Sequence, residues 1–221
     1  MSPSRSTAIS PQQASGWSDD ADRSIATRES NTWGAAGGAI WSPADMTAKQ
    51  FYDWQTAGGT DDVMRLVDCL ERADVAWCAI GGVAVNHWAA QPMVTQDVDF
   101  VVAADAIERA ITKLEEAGFP VERFEWSVNF RGRSAVSLQL STEDFYKAFP
   151  SRAVPADVHG ILLRVASLPD TLSGKIKAWS EPTRRQSKRL KDLADIARLV
   201  EAHSHLWDLL PEPLKQQVQR P

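Results

Sequence analysis

Two aspartates stand inside an otherwise apolar run, Asp97-Val98-Asp99-Phe100-Val101-Val102, and a strand is the conformation that reconciles them. Side chains alternate along a strand, so Asp97 and Asp99 share one face with Cα atoms roughly 7 Å apart, embedded among Val98, Phe100, Val101 and Val102. Two carboxylates beside so much apolar surface are costly to bury unless something cationic compensates them. Upstream, a short apolar run from Ala76 to Ile80 breaks at Gly81-Gly82 and gives way to a helix-compatible segment from Val83 to Ala90. Paired glycines at a strand-to-helix turn let backbone N–H groups approach an anion closely, with the helix N-terminus behind them. A hard divalent cation, held by carboxylates and by substrate phosphates, suits the aspartate pair. A phosphate cradle followed by a metal-holding pair is the minimal equipment for moving a phosphoryl or nucleotidyl group.

At 221 residues the chain is long enough for one domain of ordinary size plus a tail. The net charge of −5 excludes a global basic field, so any nucleic-acid contact must come from a local patch. Cys69 and Cys78 make no disulfide framework and sit in apolar surroundings typical of buried free thiols. There is no 18-residue apolar run and no signal-peptide core, so the expectation is a soluble, cytoplasmic protein without membrane contact.

Residues 1–43 are rich in Ser, Ala, Gly, Gln and Thr without periodicity, which reads as a disordered leader holding Trp17, Trp33 and Trp41. Residues 44–203 read as the folded domain, and 204–221 as a short helical tail. A helix is expected over Met46–Thr56. A second runs to about Ala73, capped by Thr60-Asp61-Asp62 and buried through Val63, Leu66, Val67, Cys69 and Leu70. Another opens at Ala104-Asp105, buries Ile107, Ile111 and Leu114, and closes at Gly118. Strand-like segments follow at Pro120–Trp126, Val128–Arg131 and Ala135–Leu140, then a strand from Ile161 to Ala166. Ser167-Leu168-Pro169-Asp170 has the capping hydroxyl, early proline and acid of a helix start, and that helix carries Lys175.

The last long helix spans Arg184 to about His203, with an expected buried stripe of Leu190, Leu193, Ala197 and Val200 supported by Ile196 and Leu199. Arg184, Arg185, Lys188, Arg189 and Lys191 place five cations just before Asp192 and Asp195. The two acids lie on one side of the helix, at the edge of the apolar stripe. On an ordinary helix they would be solvated and paired internally, Asp192 with Lys188 for example.

Strand, Gly-Gly, helix and then Asp-Val-Asp on the next strand resembles the core motif of the nucleotidyltransferase superfamily. That superfamily includes polymerase-β-like enzymes, antibiotic nucleotidyltransferases and AbiEii-type toxins. The string Val94–Val102 is similar to the bacterial branch, in which an Arg or Lys often stands near the position of Met93. Lys175, followed after a loop by Lys191-Asp192-Leu193-Ala194-Asp195-Ile196, resembles the C-terminal motifs of AbiEii-type toxins. The resemblance spans roughly Val75 to Val200. It implies that Gly81 and Gly82 form the phosphate loop and that Asp97 and Asp99 hold Mg²⁺. Lys175, with Lys188, would neutralise nucleotide phosphates. Asp192, or else Asp195, would be the helix-borne acid that orients the attacking group or the lysine. A third carboxylate commonly lies on a later strand. Gln139 stands where it is sought, and Asp157, the alternative, reads as a hairpin-turn residue.

The expected fold is α+β (α/β): a mixed, twisted sheet of about five strands with the motif at one edge of its active face, helices on the other side and a C-terminal helical cap. The implied activity is Mg²⁺-dependent transfer of a nucleoside monophosphate from an NTP to an acceptor, foremost an RNA such as a tRNA end in a toxin–antitoxin system with a cognate antitoxin. The alternatives are a small-molecule (antibiotic) acceptor, or a degenerate binding module, for which Gln139 and Met93 speak. A third reading makes the glycines and aspartates plain turn and surface residues.

Overall fold

The aspartate-bearing strand forms as β2, Asp97–Val102, and it lies in the middle of the sheet rather than at one edge. The computed structural model describes residues 59–218 apart from 94, 96 and 159. The leader and the helix expected over Met46–Thr56 lie outside these residues. In chain order the principal elements are α1 (Thr60–Arg72), β1 (Trp77–Ala79), α2 (Gly81–Trp88), β2, α3 (Ile107–Glu116), β3 (Val121–Arg123), β4 (Ser127–Arg131), β5 (Ser137–Ser141), β6 (Val154–Val158), β7 (Ile161–Val165), α4 (Leu168–Ser180), α5 (Gln186–Ala202) and the short α6 (Glu212–Lys215).

Among the described residues seven strands, rather than about five, form one mixed sheet in the order β3-β4-β5-β2-β1-β7-β6. β2 runs parallel to β5 and antiparallel to β1, and β1 runs parallel to β7. The strand least visible in the sequence is β6, Val-Pro-Ala-Asp-Val. Its Pro155 cannot donate to a ladder, and the strand accordingly takes the edge of the sheet.

Alternation assigns the two faces of the sheet. Val98, Phe100 and Val102 join Trp77, Leu138, Leu140, Val128, Phe130 and Leu163 in the main core, which α1 and α3 cover with Leu66, Leu70, Ile111 and Leu114. The opposite face carries Asp97, Asp99, Gln139, Ser141 and Ser127, and all five line a cavity. Beside that cavity α4 and α5 pack on α2 around a second core of Val85, Leu172, Ile196, Leu199 and Val200. Leu206, Leu210, Leu214 and Val218 complete this core, so the C-terminal segment folds back onto the helices.

Local signals act largely as expected at α4, where the Ser167 hydroxyl accepts the Asp170 N–H and Pro169 occupies the first turn. At α1 they do not. Gly59 is the capping position, and Asp62 instead accepts hydrogen bonds from the Ser134 N–H (2.8 Å) and hydroxyl (2.6 Å), tying the helix to the loop before β5.

Candidate active site

Gly81 opens α2 at the end of β1, and its position is fixed by what stands opposite. Its φ is +62°, a left-handed conformation, and a Cβ built there would lie 2.3 Å from Asp99 Oδ2. Glycine is thus required twice over. Gly82 is similarly crowded, a Cβ there lying 2.9 Å from Thr95 Oγ1 and 3.7 Å from Lys191 Nζ. The N-terminus of α2 therefore sits directly against Asp99 and beside Lys191. Thr95 is buried, and its hydroxyl donates to the Asp97 carbonyl at 3.0 Å, fixing the chain as it enters β2. Met93 is exposed, and its backbone is gripped by Asn86 through two hydrogen bonds of 2.7 and 2.9 Å. Arg198 of α5 donates to Asn86 Oδ1 and to the Gln91 carbonyl, so a cation supports this loop from behind.

Asp97 and Asp99 project into a cavity of about 590 Å³. Burial pushes the Asp99 carboxyl above the ordinary carboxylate range. Lys175 opposes that shift, the Asp97 charge adds to it, and Lys191 and Lys188 oppose it. Lys188 Nζ stands 3.7 Å from Asp97 Oδ2, a cation already beside the pair. In the sheet register Asp99 pairs with Gln139 of β5, and Gln139 in turn with Asn129 of β4. Gln139 thus occupies the place beside the aspartates where a third acid was sought. Asp157 is remote from it: on edge strand β6 its carboxylate accepts the Gly160 N–H at 2.6 Å, the hairpin-turn role.

Lys175 of α4 is buried, 7% exposed, and its ammonium lies 3.2 Å from Asp192 Oδ1 and 2.6 Å from Asp195 Oδ2. Asp192 also receives Arg184 Nε at 2.5 Å, and Asp195 receives Arg198 at 2.9 Å. Both aspartates are among the least accessible residues of α5, whereas Leu190, expected in the buried stripe, is 58% exposed. The rest of the expected stripe, Leu193, Ala197 and Val200 with Ile196 and Leu199, does pack in the second core, while five charged groups, Lys175, Arg184, Asp192, Asp195 and Arg198, interlock beside it. Lys188 pairs with Asp97, so Asp192 finds its partners far away in sequence, on α4 and in the loop before α5. The structure brings Gly81, Gly82, Asp97, Asp99, Lys175, Lys188 and Asp192 to one cavity.

Sequence reasoning missed several other residues of its lining, among them Trp126, Tyr146 and Asp170, while Arg185 belongs to the basic run it had singled out. Burial raises the Tyr146 phenol above its usual range, and the charges of Glu143 and Asp99 add to the effect. Asp170 anchors the α4 end of the lining through a two-pronged ion pair with Arg152. Only the capping role of Asp170 and the cationic run around Arg185 had any signal in the sequence.

Among the described residues no group of three or more His, Cys, Asp and Glu could hold a metal ion. The donors present, two carboxylates and the Gln139 side chain on one face, are nevertheless of the oxygen type that a hard divalent cation prefers. They fit an ion shared between protein and substrate phosphates. Among the described residues no helix is long and apolar enough to cross a membrane.

No curated protein sequence matches the chain. Solved structures do. ANT(2″)-Ia in complex with adenylyl-2″-tobramycin superposes with a TM-score of 0.50 at 12% identity, over 71% of this chain and 97% of that one. JHP933 from Helicobacter pylori gives a TM-score of 0.49 at 15% identity, over 74% and 72% of the two chains. The lincosamide antibiotic adenylyltransferase LnuA, lincomycin-bound, gives 0.45 at 14% identity, over 63% and 97%. The family model of the nucleotidyl transferase AbiEii toxin, type IV toxin–antitoxin system, matches residues 81–216, from the first glycine of the cradle through α6. That match covers more than half of the chain, which therefore belongs to the AbiEii family of nucleotidyl transferases.

Proposed function

We propose that this protein transfers a nucleoside monophosphate from an NTP to the terminal hydroxyl of an RNA, with a tRNA end as the foremost acceptor. The observation that carries the reading is that the basic run enters the catalytic cavity. Arg184, Arg185, Lys188 and Lys191 line the same space as Asp97 and Asp99. Phosphate contacts need only such local cations, even in a chain of net negative charge.

In this reading Gly81 and Gly82 cradle the triphosphate through backbone N–H groups, with Lys191 and Lys188 beside them. Asp97 and Asp99 would hold Mg²⁺, which when bound neutralises phosphate charge and favours ionisation of the acceptor hydroxyl. Lys175, held rigidly by Asp192 and Asp195, supplies positive potential behind the carboxylates. The acceptor oxygen bonds to the α-phosphorus, the bond from that phosphorus to the bridging oxygen breaks, and pyrophosphate leaves. The proton of the acceptor passes to solvent or to a carboxylate of the cavity. A cognate antitoxin protein would be the partner expected from the family name.

The test incubates purified protein with each radiolabelled NTP, Mg²⁺ and total bacterial RNA, beside the Asp97→Ala, Asp99→Ala double variant. Label entering RNA only with the intact pair is the expected result. Nucleotide binding without RNA labelling would redirect the search to small-molecule or protein acceptors. Absence of nucleotide binding would favour a degenerate binding module, for which the neutral Gln139 beside Asp99 is the supporting feature.

A further inference from the structure

Trp126 lines the cavity yet is 60% exposed, and the activity described so far gives it no task. Among the described residues its indole meets no other ring and its Nε1–H has no hydrogen-bond partner. The backbone beneath it is nonetheless tightly held. The Phe124 N–H donates to the Ser127 carbonyl at 2.8 Å, closing the turn between β3 and β4. The Thr142 N–H donates to the Trp126 carbonyl at 3.0 Å, joining that turn to the end of β5. A large, mostly exposed flat side chain is thus presented from a fixed base.

Its place in the sheet says which end of a substrate it meets. The glycine cradle follows β1, on one side of β2, whereas β5 and then β4 lie on the other side. Ser127, next to Trp126, pairs with Ser141 at the end of β5, two residues beyond the Gln139 that pairs with Asp99. Two strand spacings across and two residues along put Ser127 roughly 12 Å from Asp99, Cα to Cα. A nucleotide bonded through its ribose near the aspartates fills that interval. Trp126 stands on the acceptor side, away from the triphosphate.

We propose that Trp126 is the stacking platform for the terminal base of a single-stranded RNA acceptor. This rests on the RNA reading above. Base–aromatic stacking tolerates any sequence, because every base has a π-face, and it pairs naturally with cations that follow the backbone. Arg185, which makes no ion pair among the described residues, lines the same cavity and suits the phosphate of that terminal nucleotide.

The experiment measures labelling of total bacterial tRNA by the full chain, by Trp126→Ala and by Trp126→Phe, varying tRNA at saturating NTP and NTP at saturating tRNA. Trp126→Ala is expected to raise the KM for tRNA at least about fivefold, the lower end of what one such stack is worth. The KM for NTP should stay within about twofold and the melting temperature should not move. Trp126→Phe, which keeps a ring, should restore most of the tRNA affinity. An unchanged tRNA KM in Trp126→Ala, or a rise confined to NTP, would overturn the platform while leaving RNA transfer intact. Failure of the unaltered chain to label tRNA, with label entering a small molecule instead, would overturn both readings together.

Discussion

Side-chain volume at position 81 is set by a carboxylate oxygen, since a Cβ there would come within 2.3 Å of Asp99 Oδ2 on a backbone at φ +62°. Gly81→Ala is expected to lower stability by about 1–2 kcal/mol from the left-handed backbone alone, as read by thermal unfolding. It should also displace Asp99 and abolish nucleotidyl transfer. Asp99 itself carries a pH signature. Its carboxyl is pushed above the ordinary range, so the folded state holds a proton more tightly than the unfolded chain does. Stability from this group therefore falls as pH rises from the ordinary carboxylate range through the raised value, and it does not recover above. Asp99→Asn, measured with a chelator present, should melt higher than the unaltered protein at neutral pH. That gain should shrink toward acid pH, and transfer activity should be lost throughout. A lower melting temperature for Asp99→Asn at neutral pH would contradict this account.

The contact between α4 and α5 is organised by charge as much as by apolar packing. Lys175 reaches from one helix to Asp192 and Asp195 on the other, and all three are nearly inaccessible. Removing one partner strands the others in a poorly solvated place. Lys175→Met should destabilise the fold by about 3–5 kcal/mol in urea unfolding. Arg184 is partly exposed and Asp192 keeps Lys175 when it is lost, so Arg184→Ala should cost less than Lys175→Met in the same measurement. This same element shows where sequence reading stops. Apolar spacing along α5 predicts Leu193, Ala197 and Val200 inside, as found, but also Leu190, which is exposed, whereas Asp192 and Asp195 are buried in ion pairs with Lys175. Periodicity registers only what an apolar neighbour wants; it carries no record of a lysine on another helix. The Asp97/Asp99 strand, by contrast, was fully legible, since alternation is a property of the strand itself. So was α4, whose start is written in four consecutive residues. Trp126 and Tyr146 left no local trace: they enter the cavity only through pairing of strands and turns distant in the chain.

On the scale of the whole molecule, a net charge of −5 coexists with a cavity to which Arg184, Arg185, Lys188 and Lys191 contribute, so under the RNA reading proposed above attraction would be local and dependent on salt. For single strands the logarithm of affinity falls with the logarithm of salt concentration by about 0.7 per phosphate contact. Arg185→Gln is expected to flatten that dependence by about 0.7, as measured by tRNA binding across a salt series without NTP. An unchanged slope would remove Arg185 from the RNA path. The overall architecture, α+β with a mixed sheet and helical cap, followed from the order of strand and helix signals. The central place of β2 did not, because strand neighbours are chosen by the whole chain.

The wall of the cavity is assembled from three stretches of sequence, within 80–99, 126–149 and 170–192, and synthesis delivers them at different times. A chain emerging from the ribosome carries Gly81, Asp97 and Asp99 long before Lys175 and α5 exist. Until α4 and α5 dock, the carboxylate pair lacks its cationic roof. A translation product interrupted before α4 would therefore carry the acids without Lys175 or Lys191 to face them.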